Sequence, residues 1–123
     1  SLVEDLLVGE KNYLFSCQVE ESLVARTENC WTAVVDANCL PPNLVVRTRR
    51  AGDYLQLVGM TARKKLKDFL IDRKIPASER DSLPLIVAGE EIIWIPGYFL
   101  AESVRVTEKT EKKAYLCCQN IDY

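Results

Sequence analysis

The sequence predicts an α+β domain, mostly strands with one substantial helix. Three observations predict it. Apolar and polar residues alternate along "KNYLFSCQVEE" (11–21), the period-two pattern of a half-buried strand. Two β-rich apolar runs flank Ala88-Gly89-Glu90 in "LPLIVAGEEIIWIPG" (83–97), which marks a hairpin. Leu66, Phe69 and Leu70 recur at i, i+3 and i+4 in "TARKKLKDFLIDRK" (61–74), as in a helix that buries one face.

Taken in order, the first strand places Tyr13, Phe15, Cys17 and Val19 on one side. "CWTAVVDA" (30–37) is a second strand, rich in β-branched and aromatic residues. Pro41-Pro42-Asn43 interrupts the chain, and "LVVRTRR" (44–50) resumes as a strand that runs into a turn at "AGD" (51–53). Thr61 is placed to cap the helix, and Ile75-Pro76 ends it, because a residue before proline is pushed out of the α region. "PASERDS" (76–82) suits a second helix of one to two turns with Ser78 as its cap. After the hairpin, "SVRVTEKT" (103–110) and "KAYLCCQ" (113–119) read as closing strands. Trp94 and Trp31 are expected in the core, and Gly52-Asp53 is expected to fix a turn, with Asp53 holding an arginine.

At 123 residues the chain is read as one domain with a core of its own. No apolar run approaches the ~18 residues that span a bilayer. The opening "SLVEDLLVGEK" has no basic stretch followed by an apolar one, so no signal peptide is expected, and the initial Ser suggests a fragment of a longer chain. The five cysteines (Cys17, Cys30, Cys39, Cys117, Cys118) show no CxxC spacing and read as reduced, small hydrophobic residues of a cytoplasmic protein. There is no histidine, so a metal site would need several scattered thiols to converge, and none is expected. Without histidine, Ser-His-Asp and Cys-His arrangements are impossible, and the glycines form no phosphate loop. No catalytic residue is therefore assigned.

The near-neutral total hides an asymmetry. Residues 1–46 carry a net −5, residues 47–80 a net +6 and residues 81–123 a net −3. A basic middle between acidic flanks is expected when one surface meets a polyanion. With Leu66, Phe69 and Leu70 facing the core, Lys64, Lys67 and Lys74 point away, with Arg63 and Lys65 near the helix start. Cations at a helix N-terminus oppose its dipole, so Arg63, Lys64 and Lys65 work against the helix and are placed for something else. Asp68 and Asp72 are spaced for i,i+4 ion pairs with the helix lysines. In an extended "RTRR", Arg47 and Arg49 share one face and Thr48 and Arg50 the other, so one pair is free to meet phosphates. Arg80 is either a phosphate ligand or an ion-pair partner near Asp81.

The ordered segments "VVDANCL" (34–40), "VRTRRAGDYLQLVGM" (46–60), "KKLKDFLIDRKIP" (64–76), "ERDSLPLIVAGEEIIWIPG" (79–97) and "VTEKT" (106–110) resemble the C-terminal domain of bacterial tRNA(Ile)-lysidine synthetases. The resemblance implies a β-rich layered sandwich similar to a domain of phenylalanyl-tRNA synthetase, here spanning 1–123 with the motifs in 34–110. It implies a parent ligase that uses ATP with Mg and L-lysine to convert the wobble cytidine of a CAU-anticodon isoleucine tRNA. The SGGxDS-type ATP loop is not in this chain, so the resemblance leaves catalysis and these cofactors to an N-terminal domain. The implied partners are that domain and the tRNA body around the acceptor stem. The candidate tRNA-binding residues are Arg47, Arg49, Arg50, Arg63, Lys64, Lys65, Lys67, Lys74 and Arg80. Two departures shift weight onto them: Tyr54 stands where the family usually has a basic residue, and "YFLAES" (98–103) lacks the family's arginine. The alternative is a structural module that docks on its own enzyme or dimerises, its basic strip matched to the acidic flanks of a neighbour.

Overall fold

The computed structural model describes residues 2–8, 11–19, 30–57 and 63–120. Its strands are β1 (Leu2–Val8), β2 (Lys11–Val19), β3 (Cys30–Asp36), β4 (Leu44–Arg47), β5 (Tyr54–Gln56) and β6 (Arg63–Lys65), followed by helices α1 (Leu66–Asp72) and α2 (Ala77–Arg80). The chain then forms β7 (Leu85–Ala88), β8 (Glu91–Ile95), β9 (Phe99–Leu100), a 3₁₀ turn at Glu102–Val104 and β10 (Lys113–Asn120). One antiparallel sheet has the order β1-β2-β10-β3, a second β4-β7-β8-β9, and β5 pairs with β6 in a short ribbon.

Three layers follow from which faces are apolar. Tyr13, Phe15 and Cys17 of β2 and Leu116 and Cys118 of β10 face Val46, Ile86 and Trp94 across the gap between the two sheets. Phe15 and Trp94 meet there at 6.2 Å between ring centroids. On its other face the second sheet buries Leu85, Val87, Ile92 and Ile95 against Leu55, Leu66, Phe69 and Leu70 of the ribbon and helix. Strand β7 is thus covered on both sides and is buried at all four positions.

Strand β8 needs a bulge to serve both layers. Ile86 pairs with Trp94 but Val87 with Ile92, so Ile93 is the extra residue. The insertion turns both Ile93 and Trp94 toward the first sheet, while Ile92 and Ile95 face the helix. The displaced Ile93 carbonyl accepts a hydrogen bond from the Ala101 amide at 2.8 Å.

Two of the motif segments are joined at Asp36, which is 8% exposed. Its carboxylate accepts from the Asn38 amide at 2.9 Å and from the Thr110 hydroxyl at 3.0 Å. Burial pushes this carboxyl up, but the hydrogen bonds outweigh it and leave the group below the usual carboxylate value.

The strands expected around 11–21, 30–37, 85–97 and 113–119 are present, and the second sheet forms around the expected hairpin. Other expectations are corrected. Strand β4 stops at Arg47 instead of running through "RTRR". Residues 63–65 are strand, and α1 begins only at Leu66; the expected cap, Thr61, lies outside the described residues. Pro76, not Ser78, precedes α2. Residues 103–110 form no strand beyond an isolated bridge between Val35 and Arg105. Trp31, expected in the core, is 39% exposed at the end of an edge strand. Strands β1, β5 and β6 were not expected, since β5 and β6 are three residues each and carry too little pattern to register. Cys17, Cys117 and Cys118 are buried as expected, whereas Cys39 is exposed. Among the described residues, no helix is long and apolar enough to cross a membrane.

Candidate nucleic-acid interface

The basic middle of the sequence folds around one turn. Arg50-Ala51-Gly52-Asp53 closes with the Asp53 amide donating to the Arg50 carbonyl at 3.2 Å, and Gly52 sits at φ 88°, the left-handed region that glycine enters without strain. The Leu66 amide then donates to the Asp53 carbonyl at 2.9 Å, which ties the turn to the start of α1.

The Asp53 carboxylate organises this turn. Arg47 donates to it through both terminal nitrogens, Nη1 at 3.0 Å and Nη2 at 2.9 Å, and the Arg50 amide donates at 2.7 Å. The Arg47 and Asp53 side chains are only 14% and 12% exposed. Burial pushes the Asp53 carboxyl up. The hydrogen bonds from Arg47 and the Arg50 amide, with the positive charge of both arginines, more than offset this and hold it below the usual carboxylate value. A forked guanidinium on a carboxylate is among the stronger polar contacts, so Arg47 is committed to holding the turn.

Beside the turn opens a cleft of about 520 Å³ lined by Arg49, Arg50, Asp53, Lys65, Lys67 and Asp81, with Ala51, Gly52 and Leu66 as its floor. Two stretches of chain supply the cations. The ribbon pairs Tyr54 with Lys65, which carries the β6 end alongside the 50–53 turn. Arg49 Nε donates to Asp81 at 2.7 Å, but Asp81 is 79% exposed, and an open pair of this kind contributes about 0–1 kcal/mol. Arg49 is therefore able to exchange that carboxylate for another anion at little cost.

Of the nine candidate residues, the fold brings Arg49, Arg50, Lys65 and Lys67 to the cleft. It gives the other five different surroundings. Arg47 holds Asp53 as described. Arg63 lies 4.1 Å above the ring of Tyr54. Lys64 ion-pairs with Asp72 across eight residues, from strand to helix end, in place of the expected i,i+4 pairing. Lys74 stands exposed past the end of α1 at φ 58°. Arg80 Nε donates to the Ile75 carbonyl at 2.9 Å and so braces the link between the helices. Sequence reading missed Asp81 as a wall of the cleft, because its contact with Arg49 spans 32 residues and no local signal announces it.

The class the fold and site define is a β-rich, three-layered domain with a cationic cleft on its helical layer. The comparisons make the class particular. A family model described as "TilS substrate C-terminal domain" matches residues 44–117, and the chain belongs to that family. It is 41% identical over 86 residues to a tRNA(Ile)-lysidine synthase of Dehalococcoides mccartyi, covering 70% of this chain and 18% of that protein. A tRNA(Ile)-lysidine synthase of Symbiobacterium thermophilum is 52% identical over 63 residues, covering 51% of this chain and 13% of the relative. The chain thus spans less than a fifth of the length of these curated relatives. A crystal structure of a TilS C-terminal domain superposes with a TM-score of 0.68 at 29% identity, covering 90% of this chain and 86% of the other. The resemblance and the β-rich fold expected from it are both borne out.

Proposed function

We propose that this chain is the tRNA-contacting C-terminal domain of a tRNA(Ile)-lysidine synthetase, and that its cleft holds the tRNA body by the phosphate backbone. The observation that carries the reading is the convergence of Arg49, Arg50, Lys65 and Lys67 on one recess of a chain with net charge −2. Cations spaced around a cleft neutralise successive phosphates and release counterions, which gives affinity and register with little base reading. The parent's reaction, ligation of lysine to the wobble cytidine with ATP and Mg, belongs in this proposal to the N-terminal catalytic domain in the bacterial cytoplasm. The cleft does not fit a nucleotide–metal complex, because its inner carboxylate, Asp53, is held by two hydrogen bonds from Arg47.

The test is a titration of the chain with isoleucine tRNA across salt. Log affinity should fall with log salt at roughly 0.7–0.9 per phosphate contact. Replacing Lys65 and Lys67 together by Ala should weaken binding and lower that slope by about two. An unchanged slope, or no salt-dependent binding at all, would remove the cleft from the tRNA interface.

A further inference from the structure

We infer that Tyr54 is a positioning residue for RNA contact: its ring holds the Arg63 guanidinium on the outward face of the ribbon, where Arg63 meets the phosphate next to the one at Lys65. This deepens the tRNA reading of the cleft and rests on it for the identity of the bound strand.

The ribbon sets the placement. At its middle pair Leu55 is fully buried, and its partner Lys64 reaches Asp72 at the end of the helix. Side chains alternate along a strand, so Tyr54, Gln56, Arg63 and Lys65 share the opposite, outward face. Tyr54 is the direct partner of Lys65, and Lys65 lines the cleft. Arg63 pairs with Gln56 and so stands diagonally across from Tyr54, a separation that aromatic and long side chains bridge. They do so here, with the Arg63 Cζ 4.1 Å from the ring centroid.

Both ends of this contact are tied to the cleft. Tyr54 follows Asp53, whose carboxylate is held by Arg47 and the Arg50 amide and whose carbonyl takes the Leu66 amide. The backbone that carries the ring is therefore fixed by the turn beside the cleft. Arg63 and Lys65 lie two residues apart in one strand, roughly 6–7 Å. Two long cationic side chains at that spacing reach successive phosphates of one backbone.

The way each arginine is held separates a brace from a contact. Arg47 makes three hydrogen bonds, two to the Asp53 carboxylate and one to the Thr48 carbonyl. Arg63 is exposed and makes no hydrogen bond or ion pair among the described residues, while Asp53, Asp72 and Asp81 are each paired with another cation. An aromatic face attracts a guanidinium without occupying any of its five N–H donors. Arg63 is thus ordered with its donors available, and a forked set of donors suits a phosphate. Ordering before binding also lowers the entropy lost on contact.

The test titrates the 123-residue chain with isoleucine tRNA across salt. Arg63→Ala should weaken binding and lower the log–log slope by about one. Tyr54→Ala leaves the net charge unchanged and should weaken binding roughly two- to fivefold. Tyr54→Phe keeps the ring and should bind like the parent chain. Tyr54→Leu keeps apolar bulk without an aromatic face; it should lose as much as Tyr54→Ala, and serves if that variant does not fold. In a chain already carrying Arg63→Ala, Tyr54→Ala should weaken binding no further, because the two residues act through one contact. Arg73→Ala is the charge control. Arg73 also lies over a ring, that of Phe69 at 5.0 Å, but does not line the cleft. Its loss should change affinity by less than about twofold at physiological salt, where the screening length is ~8 Å.

The inference fails if Tyr54→Ala and Tyr54→Leu bind like the parent chain, or if Tyr54→Phe loses as much as they do. It also fails if the Tyr54→Ala loss adds in full to that of Arg63→Ala. An Arg73→Ala loss as large as that of Arg63→Ala would overturn it too, by making net charge the cause. A slope lowered by Lys65→Ala with Lys67→Ala but not by Arg63→Ala would leave the cleft standing and sink the ribbon contact. The reverse pattern would keep the ribbon contact and remove the cleft, and a chain without salt-dependent binding would sink both.

Discussion

Asp53 accepts from both terminal nitrogens of Arg47 and from the Arg50 amide, and its own carbonyl takes the Leu66 amide, so one short side chain joins a strand end, a turn and a helix start. Asp53→Asn keeps the shape but leaves a largely buried guanidinium without a counter-charge. Breaking a buried pair from one side costs about 3–5 kcal/mol, and with both groups slightly exposed about 2–4 kcal/mol is expected at neutral pH. The pH dependence has a definite sign. The folded carboxyl titrates below its unfolded value of ~3.9, so its contribution is complete above that value and is lost as pH falls through the folded pKa. Urea unfolding of the two proteins should therefore differ most at neutral pH, begin to narrow below about pH 4 and converge only below the folded pKa. The variant should also bind tRNA more weakly, although it removes an acid from a basic cleft, because Arg49 and Arg50 lose the turn that presents them. A gain in affinity would mean that only charge matters there.

Helix α1 shows where the sequence was legible and where it was not. The spacing of Leu66, Phe69 and Leu70 located its buried face correctly, because those residues reach the second sheet from one side. Its start was read too early, since Thr61 to Lys65 offer only Ala62 as an apolar residue, too little to set the phase. Arg63, Lys64 and Lys65 lie in β6, ahead of the first helical residue Leu66, and not within the first turn of the helix. Arg49, Arg50, Lys65 and Lys67, which share one cleft, were legible as candidates because they stand in a local surplus of charge. Asp81 was not, because its contact with Arg49 joins segments 32 residues apart in the chain. At its other end the helix closes as a Schellman motif. The Lys74 amide donates to the Ile71 carbonyl at 2.9 Å and the Ile75 amide to the Leu70 carbonyl at 3.1 Å, with Lys74 at φ 58°. Glycine is the usual occupant of this position. Lys74→Gly should raise stability by about 0.5–1 kcal/mol, read as a rise of a few degrees in thermal midpoint. Because Lys74 stands apart from the cleft, tRNA affinity should hold within about twofold. A marked loss of affinity would place the helix end in the interface after all.

Across the whole molecule, charge is sorted by the fold as well as by sequence. The ribbon brings residues 65 and 67 beside 49 and 50, so the surplus of the 47–80 region gathers at one recess and not along a helix. The chain then returns an acid to that recess through Asp81, which holds Arg49 at 2.7 Å. In the free domain this carboxylate keeps Arg49 in place. With tRNA in the cleft as proposed, it would compete with phosphate and add repulsion of its own. Two unit charges about 4 Å apart in water interact by ~1 kcal/mol, so Asp81→Asn should raise tRNA affinity by up to about fivefold at low salt. The gain should shrink as the screening length falls to ~8 Å near physiological ionic strength, and further above it. Stability should change little, since Asp81 is exposed and its pair is open. Titrating the parent chain and the variant at two salt concentrations separates the outcomes. A salt-sensitive gain identifies Asp81 as a restraint on the cleft. A loss would show that Arg49 needs Asp81 to point toward the RNA, and a null result would put Arg49 outside the contact.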